Sequence, residues 1–210
     1  MRLYHSPYSS NARRVVITAE ELGVPLDLVE VNLMSDAERR SLREINLNGK
    51  VPVLEDGDFL LWESCAIMQY LADSTPGQTL YPAGPQARAD VNRWMFWSCQ
   101  HFSPAIGVLA WEYLWKGMTG NGEADPREVK RGLREVEEYA SVLNTHLSGR
   151  QWLVGEALTL ADIAVAAPLM YADPARIPVK GHSHVMRWLG QLQKRASWQN
   201  TEVQLHSLAA

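Results

Sequence analysis

The chain has 210 residues, of which 46% are hydrophobic, and a formal net charge of −4. A chain of this length forms one domain or two small ones and buries a substantial core. Its mild acidity and the lack of a long Lys/Arg run argue against nucleic acid or an anionic membrane as a partner. No apolar run has the length of a signal peptide or a bilayer span, so we expect a cytoplasmic protein.

The first 75 residues alternate between short strands and helices in the order βαβαββα. The first two strands and the helix between them form a βαβ unit, whose strands should be parallel. Asp56-Gly57 separates two apolar runs and is the turn dipeptide of an antiparallel hairpin. The predicted elements are strand 3–5, helix 11–22, strand 26–31, helix 36–46, strands 51–54 and 59–61, and helix 63–73.

The remainder of the chain is predicted to be helical. Residues 74–85 contain three prolines and two glycines, and we place a linker at 76–85. Helical periodicity then predicts an all-α domain over 86–210, after an α/β domain over 1–75. The predicted helices are 86–116, 126–147, 159–171 and 185–194.

The stretch from Lys50 to Ser64 predicts a ligand site. Pro52 cannot donate to a strand ladder, so it belongs at a strand start, where Val51 keeps backbone groups for another partner. The hairpin runs into Glu63-Ser64 at the start of a helix, whose N–H groups and dipole favour a bound carboxylate. A peptide-like ligand fits this pattern.

These residues carry a family resemblance. Three segments, in this order, resemble the cytosolic glutathione transferases: YHSPYSSNAR at 4–13, NGKVPVL at 48–54 followed by ES at 63–64, and LTLADIA at 158–164. The resemblance implies a thioredoxin-like fold for the first domain and glutathione as co-substrate. It further implies a homodimer, and a helical domain that contributes the pocket for a small hydrophobic electrophile.

The resemblance implies that the partner of the glutathione thiol lies in the first loop. Ser9 lies four residues before Arg13, the spacing found in the serine-type classes theta, delta, zeta and phi, and we assign it the catalytic role. Ser9 is equally a favoured N-cap for the following helix, and the two roles are compatible. Asn11 is the second candidate, as in bacterial classes with disulfide reductase activity. Tyr8 and Ser10 are assigned to substrate binding.

The resemblance assigns the rest of the tripeptide to five residues. The family has a cis bond before Pro52, and the main chain of Val51 binds the cysteinyl amide. Glu63 accepts from the γ-glutamyl amine and Ser64 donates to the adjacent carboxylate, while Lys50 reaches the glycyl carboxylate. A charged residue in a first helical turn and a solvated lysine are the simpler explanations of Glu63 and Lys50.

The preferred function is conjugation of the glutathione thiolate to small apolar electrophiles. The same site also suits a glutathione-dependent disulfide reductase or isomerase, and the fold suits a non-catalytic interaction module. We expect no metal, because the His182 and His184 pair has no carboxylate or cysteine cluster beside it. Asp162 is expected to cap the helix that follows Thr159 and to serve folding.

Overall fold

The computed structural model describes residues 1–203 and 205. It divides into two compact units, Met1–Tyr81 and Pro82–Ala210. The division falls within segment 76–85, to which the sequence analysis assigns the linker. Among the described residues, no helix combines the length and apolar character needed to cross a membrane.

The first unit is a four-stranded sheet with three helices. The sheet has the order β2-β1-β3-β4, in which β1 and β2 are parallel and the other neighbours are antiparallel. The elements are β1 (Arg2–His5), α1 (Ser10–Leu22), β2 (Asp27–Glu30), α2 (Asp36–Ile45), β3 (Val53–Asp56), β4 (Phe59–Trp62) and α3 (Ser64–Asp73). The predicted βαβαββα order is confirmed. The predicted third strand, 51–54, begins instead at Val53, because Pro52 supplies no N–H to the ladder.

Strand register aligns the ends of three strands. Tyr4 in β1 pairs with Val53 at the start of β3, and Val53 pairs with Trp62 at the end of β4. The loop after β1, the segment before β3 and the start of α3 therefore emerge at one edge of the sheet.

Local sequence accounts for the helix ends in this unit. Ser9 is the N-cap of α1, and Gly23 ends that helix with φ 68°. Ser35 caps α2 through its side chain. A small apolar cluster of Val31, Leu42, Val51 and Val53 packs beneath α2 and buries the Val51 side chain.

The second unit is entirely helical within its described residues. Its first helix runs without interruption from Pro85 to Met118 and includes two π-helical segments, Ser98–Phe102 and Trp111–Trp115. The α-helical elements are α4 (Pro85–Trp97), α5 (Ser103–Ala110), α6 (Lys116–Met118), α7 (Pro126–His146), α8 (Leu160–Ala166), α9 (Ser183–Gln193) and α10 (Ala196–Gln199). The predicted helix 159–171 tightens to a 3₁₀ helix over Ala167–Tyr171, and the four-residue α10 is too short to produce a periodic signal.

Asp162 is the polar centre of the second unit. Its fully buried carboxylate accepts from the N–H groups of Leu153 and Thr159, each at 2.9 Å, and from Trp188 Nε1 at 2.9 Å. The Thr159 hydroxyl lies 3.0 Å from the same carboxylate. Burial raises the pKa of Asp162, and these four donors oppose the rise. The residue therefore joins the start of α8 to α9, as the expected folding role requires.

Candidate functional site

The sheet edge defined by Tyr4, Val53 and Trp62 gathers the three predicted site segments of the first unit. The loop 6–9 leads into α1, residues 50–52 lead into β3, and Glu63 leads into α3. Helices α1 and α3 both begin at this edge, so two sets of helix N–H groups face one region. That arrangement favours an anionic ligand.

Ser9 is held firmly at the start of α1. Its N–H donates to Ser6 O at 3.0 Å, and its Oγ accepts from the Ala12 N–H at 3.2 Å. The N-cap interpretation of Ser9 is thus correct. A hydroxyl that accepts one bond still has its proton to donate, so Ser9 retains a donor for a second partner such as a ligand sulfur.

The other residues of this loop differ in exposure. Asn11, in the first turn of α1, is exposed, and Tyr8 is 40% exposed. Ser10 is half-buried and begins the helix. His5, at the end of β1, is half-buried, and burial lowers its pKa despite the nearby carboxylate of Glu30.

Residues 46–51 form a tight turn around one buried side chain. Asn46 is 4% exposed, and its Nδ2 donates to Lys50 O at 2.7 Å. Its Oδ1 accepts from the N–H and the side-chain amide of Asn48, each at 3.1 Å. The Val51 side chain is buried, and the Val51–Pro52 peptide bond is cis, the isomer that the resemblance implies. The Lys50 side chain is exposed.

Glu63 has a backbone conformation that non-glycine residues rarely adopt. Its φ is 72° and its ψ is 108°. It is the N-cap of α3, yet its side chain makes no capping bond, and the exposed carboxylate has no ion pair within the described residues. Such strain is concentrated at ligand clamps and active sites. The next residue, Ser64, is buried at the first turn of the helix.

A buried arginine links the two helices that begin at this edge. Arg14 in α1 is 0% exposed, and its Nη1 donates to Cys65 Sγ in α3 at 3.5 Å. Cys65 directly follows Ser64, so this contact fixes the start of α3 relative to α1. Nothing in the sequence pattern of α1 indicated a buried cation.

The aromatic residues of the second unit fall into two groups. Trp94 and Phe102 are buried and pack with Trp97. In the second group, Tyr113 lies beneath the guanidinium of Arg176. Trp115 and Tyr171 meet edge to face with their ring centroids 6.3 Å apart. Trp111 is exposed and Tyr113 and Trp115 are half-buried, whereas Tyr171 is buried.

His182 and His184 contact different partners. His182 Nε2 lies 3.1 Å from Glu137 Oε1, while the backbone N–H of His184 donates to Asn144 Oδ1 at 2.9 Å. Across residues 1–203 and 205, no group of three or more His, Cys, Asp or Glu side chains is placed to hold a metal ion.

Comparison with known proteins identifies the family. Residues 3–79 match the family described as glutathione S-transferase, N-terminal domain, and residues 100–195 match the glutathione S-transferase C-terminal domain. The chain is 31% identical over 207 residues to glutathione S-transferase 3 of Zea mays, and the alignment covers 96% of this chain and 92% of that protein. The chain belongs to the glutathione S-transferase family.

Solved glutathione S-transferase structures share the whole architecture. A glutathione S-transferase from Rhodospirillum rubrum superimposes with a TM-score of 0.88 at 28% identity, covering 97% of this chain and 92% of that one. The theta class enzyme of Xanthomonas axonopodis pv. citri, solved with glutathione bound, gives a TM-score of 0.84 at 28% identity and covers 97% of both chains. Family members are transferase enzymes, and the fold prediction is confirmed.

Besides Arg14, two features of the site were not predicted from the sequence. Asn46 was missed because its role depends on a turn that brings Lys50 O back to its side chain; its position just before NGKVP was the available signal. The strained backbone of Glu63 could not be predicted, because a sequence indicates a positive φ only where the residue is glycine or asparagine.

Proposed function

We propose that this glutathione S-transferase binds glutathione at the sheet edge of its first unit and conjugates the thiolate to small apolar electrophiles. The observation that carries the proposal is Glu63, a strained residue whose exposed carboxylate has no ion pair in the described part of the chain. A strained residue persists only where the surrounding structure holds it, and such residues cluster at sites that bind ligands. The γ-glutamyl amine of glutathione is the cation that this carboxylate receives.

Ser9 stabilises the thiolate in this proposal. A free thiol with a pKa of about 8.5 is only about 3% ionised at pH 7, so conjugation needs the thiolate to be favoured. The Ser9 hydroxyl has a proton to donate after it has capped α1, and a hydrogen bond to the charged form lowers a thiol pKa. Asn11 is the alternative donor at the same helix start.

The remaining predicted residues receive the rest of the tripeptide. The Val51 main chain binds the cysteinyl amide, and Asn46 holds it in place through Lys50 O. The Lys50 ammonium pairs with the glycyl carboxylate, and Ser64 donates to the γ-glutamyl carboxylate at the start of α3. Pro52, Tyr8 and Ser10 form the remaining walls of the proposed glutathione site.

The second unit carries the residues for the electrophile. Tyr113, Trp115 and exposed Trp111 present aromatic surface at the end of the long helix, which suits small apolar acceptors. We propose a serine-type or bacterial class for the enzyme, in keeping with Ser9 at the N-cap of α1 and the likeness to a theta class structure. A cytoplasmic homodimer without a nucleic-acid or membrane partner completes the proposal.

Calorimetric titration with glutathione tests the proposal directly. We expect saturable binding of one tripeptide per chain, and glutathione-dependent loss of chlorodinitrobenzene with release of chloride. Binding without turnover would support the non-catalytic interaction module, and no binding at all would overturn the proposal. Oxidised glutathione in place of the thiol is the control, because it has no nucleophile.

A further inference from the structure

Arg176 occupies a backbone position that favours glycine. Its φ is 52°, in the left-handed region. Its N–H donates to Asp173 O at 3.1 Å, and the Ile177 N–H donates to Ala172 O at 2.8 Å. These two bonds form the Schellman pattern that ends helical turns, in which the left-handed residue is most often glycine. An arginine here costs the fold conformational energy, so its side chain has a use that glycine cannot serve.

The Arg176 side chain lies over an aromatic ring. Its Cζ is 4.9 Å from the centroid of Tyr113, within the range of a cation–π contact. Arg176 is exposed, and no carboxylate pairs with it in the part of the chain that the structure describes. The nearest acidic residue in sequence, Asp173, pairs instead with Lys180 at 2.9 Å.

The surrounding residues leave this guanidinium available to a ligand. Lys116, one turn beyond Tyr113, is already bound to the buried carboxylate of Glu112 at 2.8 Å. The Tyr113 hydroxyl has no hydrogen-bond partner within residues 1–203 and 205. Arg176 and Tyr113 therefore present a planar cation stacked on an aromatic ring, and that ring carries a hydroxyl that can donate.

We propose that Arg176 and Tyr113 bind the carboxylate of an aromatic electrophile, so that the enzyme favours anionic aromatic acceptors over neutral ones. The guanidinium suits a carboxylate because its planar donors match the two oxygens. The Tyr113 ring, against which the guanidinium lies, offers aromatic surface for the ring of the acceptor. The inference rests on the proposed function, in which this end of the long helix binds the electrophile.

Two matched substrates test the preference. In chlorodinitrobenzene and in its carboxylated analogue chlorodinitrobenzoate, the glutathione thiolate forms a C–S bond at the ring carbon, the C–Cl bond breaks, and chloride leaves with the bonding electrons. Arg176→Gly relaxes the backbone while removing the cation. We expect kcat/KM for the benzoate to fall about tenfold, as for one lost charge-assisted hydrogen bond, and kcat/KM for the neutral substrate to stay within about twofold.

Two further variants separate charge from shape. Arg176→Lys keeps the charge without the planar fork and should recover part of the lost preference. Arg176→Gln removes the charge and should lower kcat/KM for the benzoate as Arg176→Gly does. Arg134→Gln, at an exposed arginine of α7, is the matched control and should leave kcat/KM for both substrates unchanged. Equal losses on both substrates, or no loss on the benzoate, in Arg176→Gly would overturn the proposal.

Binding of an unreactive probe distinguishes a failure of the anion site at Arg176 from a failure of the proposed transferase function. Dinitrobenzoate and dinitrobenzene lack the leaving group, and their binding is followed by quenching of tryptophan fluorescence in the intact chain. We expect Arg176→Gly to weaken dinitrobenzoate about tenfold and dinitrobenzene little. If the parent binds dinitrobenzoate but turns over neither chlorinated substrate, the proposed function fails and the anion site stands. If the parent prefers neither probe, the anion site is wrong whatever the turnover.

Discussion

The side-chain amide of Asn46 donates to the carbonyl oxygen of Lys50 at 2.7 Å, and together with the backbone bond from the Gly49 N–H to Asn46 O at 2.7 Å it closes the turn that leads to Val51. Asn46 also accepts two bonds from Asn48 and is almost fully buried. In the proposed complex, Asn46 therefore acts on glutathione without touching it, by fixing the Val51 backbone that is proposed to bind the cysteinyl amide.

Asn46→Ala should weaken glutathione and the fold together. Loss of the buried amide leaves Lys50 O without its donor, which should cost about 1 to 3 kcal/mol of unfolding free energy. We expect glutathione affinity to fall about tenfold at temperatures where the variant remains folded, because Val51 is no longer held. Calorimetry gives the affinity and urea unfolding the stability. Asn48→Ala, which removes only an exposed partner of Asn46, is the control, and parent-like binding in Asn46→Ala would exclude this role.

Ser9→Ala should cut turnover while leaving glutathione affinity nearly unchanged. Removal of a donor to an anion costs about 10- to 1,000-fold in rate, whereas the rest of the tripeptide is bound elsewhere. Loss of the N-cap should also cost about 1 kcal/mol of stability. The measurement is the pH dependence of thiolate absorbance in the complex with glutathione. If Ser9→Ala leaves that titration in place and Asn11→Ala moves it to higher pH, the donor is Asn11.

Substitutions at Glu63 should change glutathione affinity and protein stability independently. Glu63→Gln keeps the side-chain shape but loses the charge, and should weaken glutathione by about 1.5 to 3 kcal/mol with unchanged stability. Glu63→Gly should lose the same affinity while gaining roughly 1 kcal/mol of stability, because it removes the Cβ from a left-handed position. Glu44→Gln, at an exposed glutamate of α2, controls for charge. Parent-like affinity in Glu63→Gln would remove Glu63 from the site.

Asp162→Ala should lower the unfolding free energy of the helical unit by more than the loss of a simple helix cap would. The sequence pattern alone predicts a cost of about 0.5 to 2 kcal/mol. The structure adds buried donors at Leu153, Thr159 and Trp188 that would lose their acceptor, so we expect about 3 to 5 kcal/mol. Thermal unfolding measures the loss, and Ser35→Ala, at the cap of exposed α2, should cost only about 1 kcal/mol. Normal stability with abolished turnover would instead make Asp162 catalytic.

His5 should make stability fall in mildly acidic solution. Burial lowers the pKa of His5 below its ordinary value of 6.5, so the folded chain binds its proton less readily than the unfolded chain. Its contribution is therefore complete above the ordinary pKa and is lost as pH falls through the lower folded value. Urea unfolding at neutral pH and about one unit below the ordinary histidine pKa measures the loss. His5→Gln should show a smaller loss over that interval, and an identical loss would exclude His5 as its source.

Sequence predicted those parts of the molecule that depend on local pattern. The hairpin at Asp56-Gly57, the cap at Ser9 and the helix predicted from Glu63 each depend on neighbouring residues, and all three appear in the structure, the helix one residue later at Ser64. The contacts of Asn46 and of Arg14 require segments brought together by folding, so no local pattern reports them. Arg176 was missed for a different reason, since nothing in its sequence surroundings demands a left-handed residue.

The two π-helical segments set the direction in which the end of the long helix faces. A π turn closes each bond one residue later than an α turn does, so Ser98–Phe102 and Trp111–Trp115 each accommodate an extra residue within an otherwise continuous helix. One residue corresponds to about 100° of rotation about the helix axis. Deleting a single residue from Ser98–Phe102 would turn Tyr113 and its neighbours toward a different side without changing any of them. In this helix, the number of residues alone can change the direction of the proposed acceptor surface, and a comparison of aligned side chains would not reveal the change.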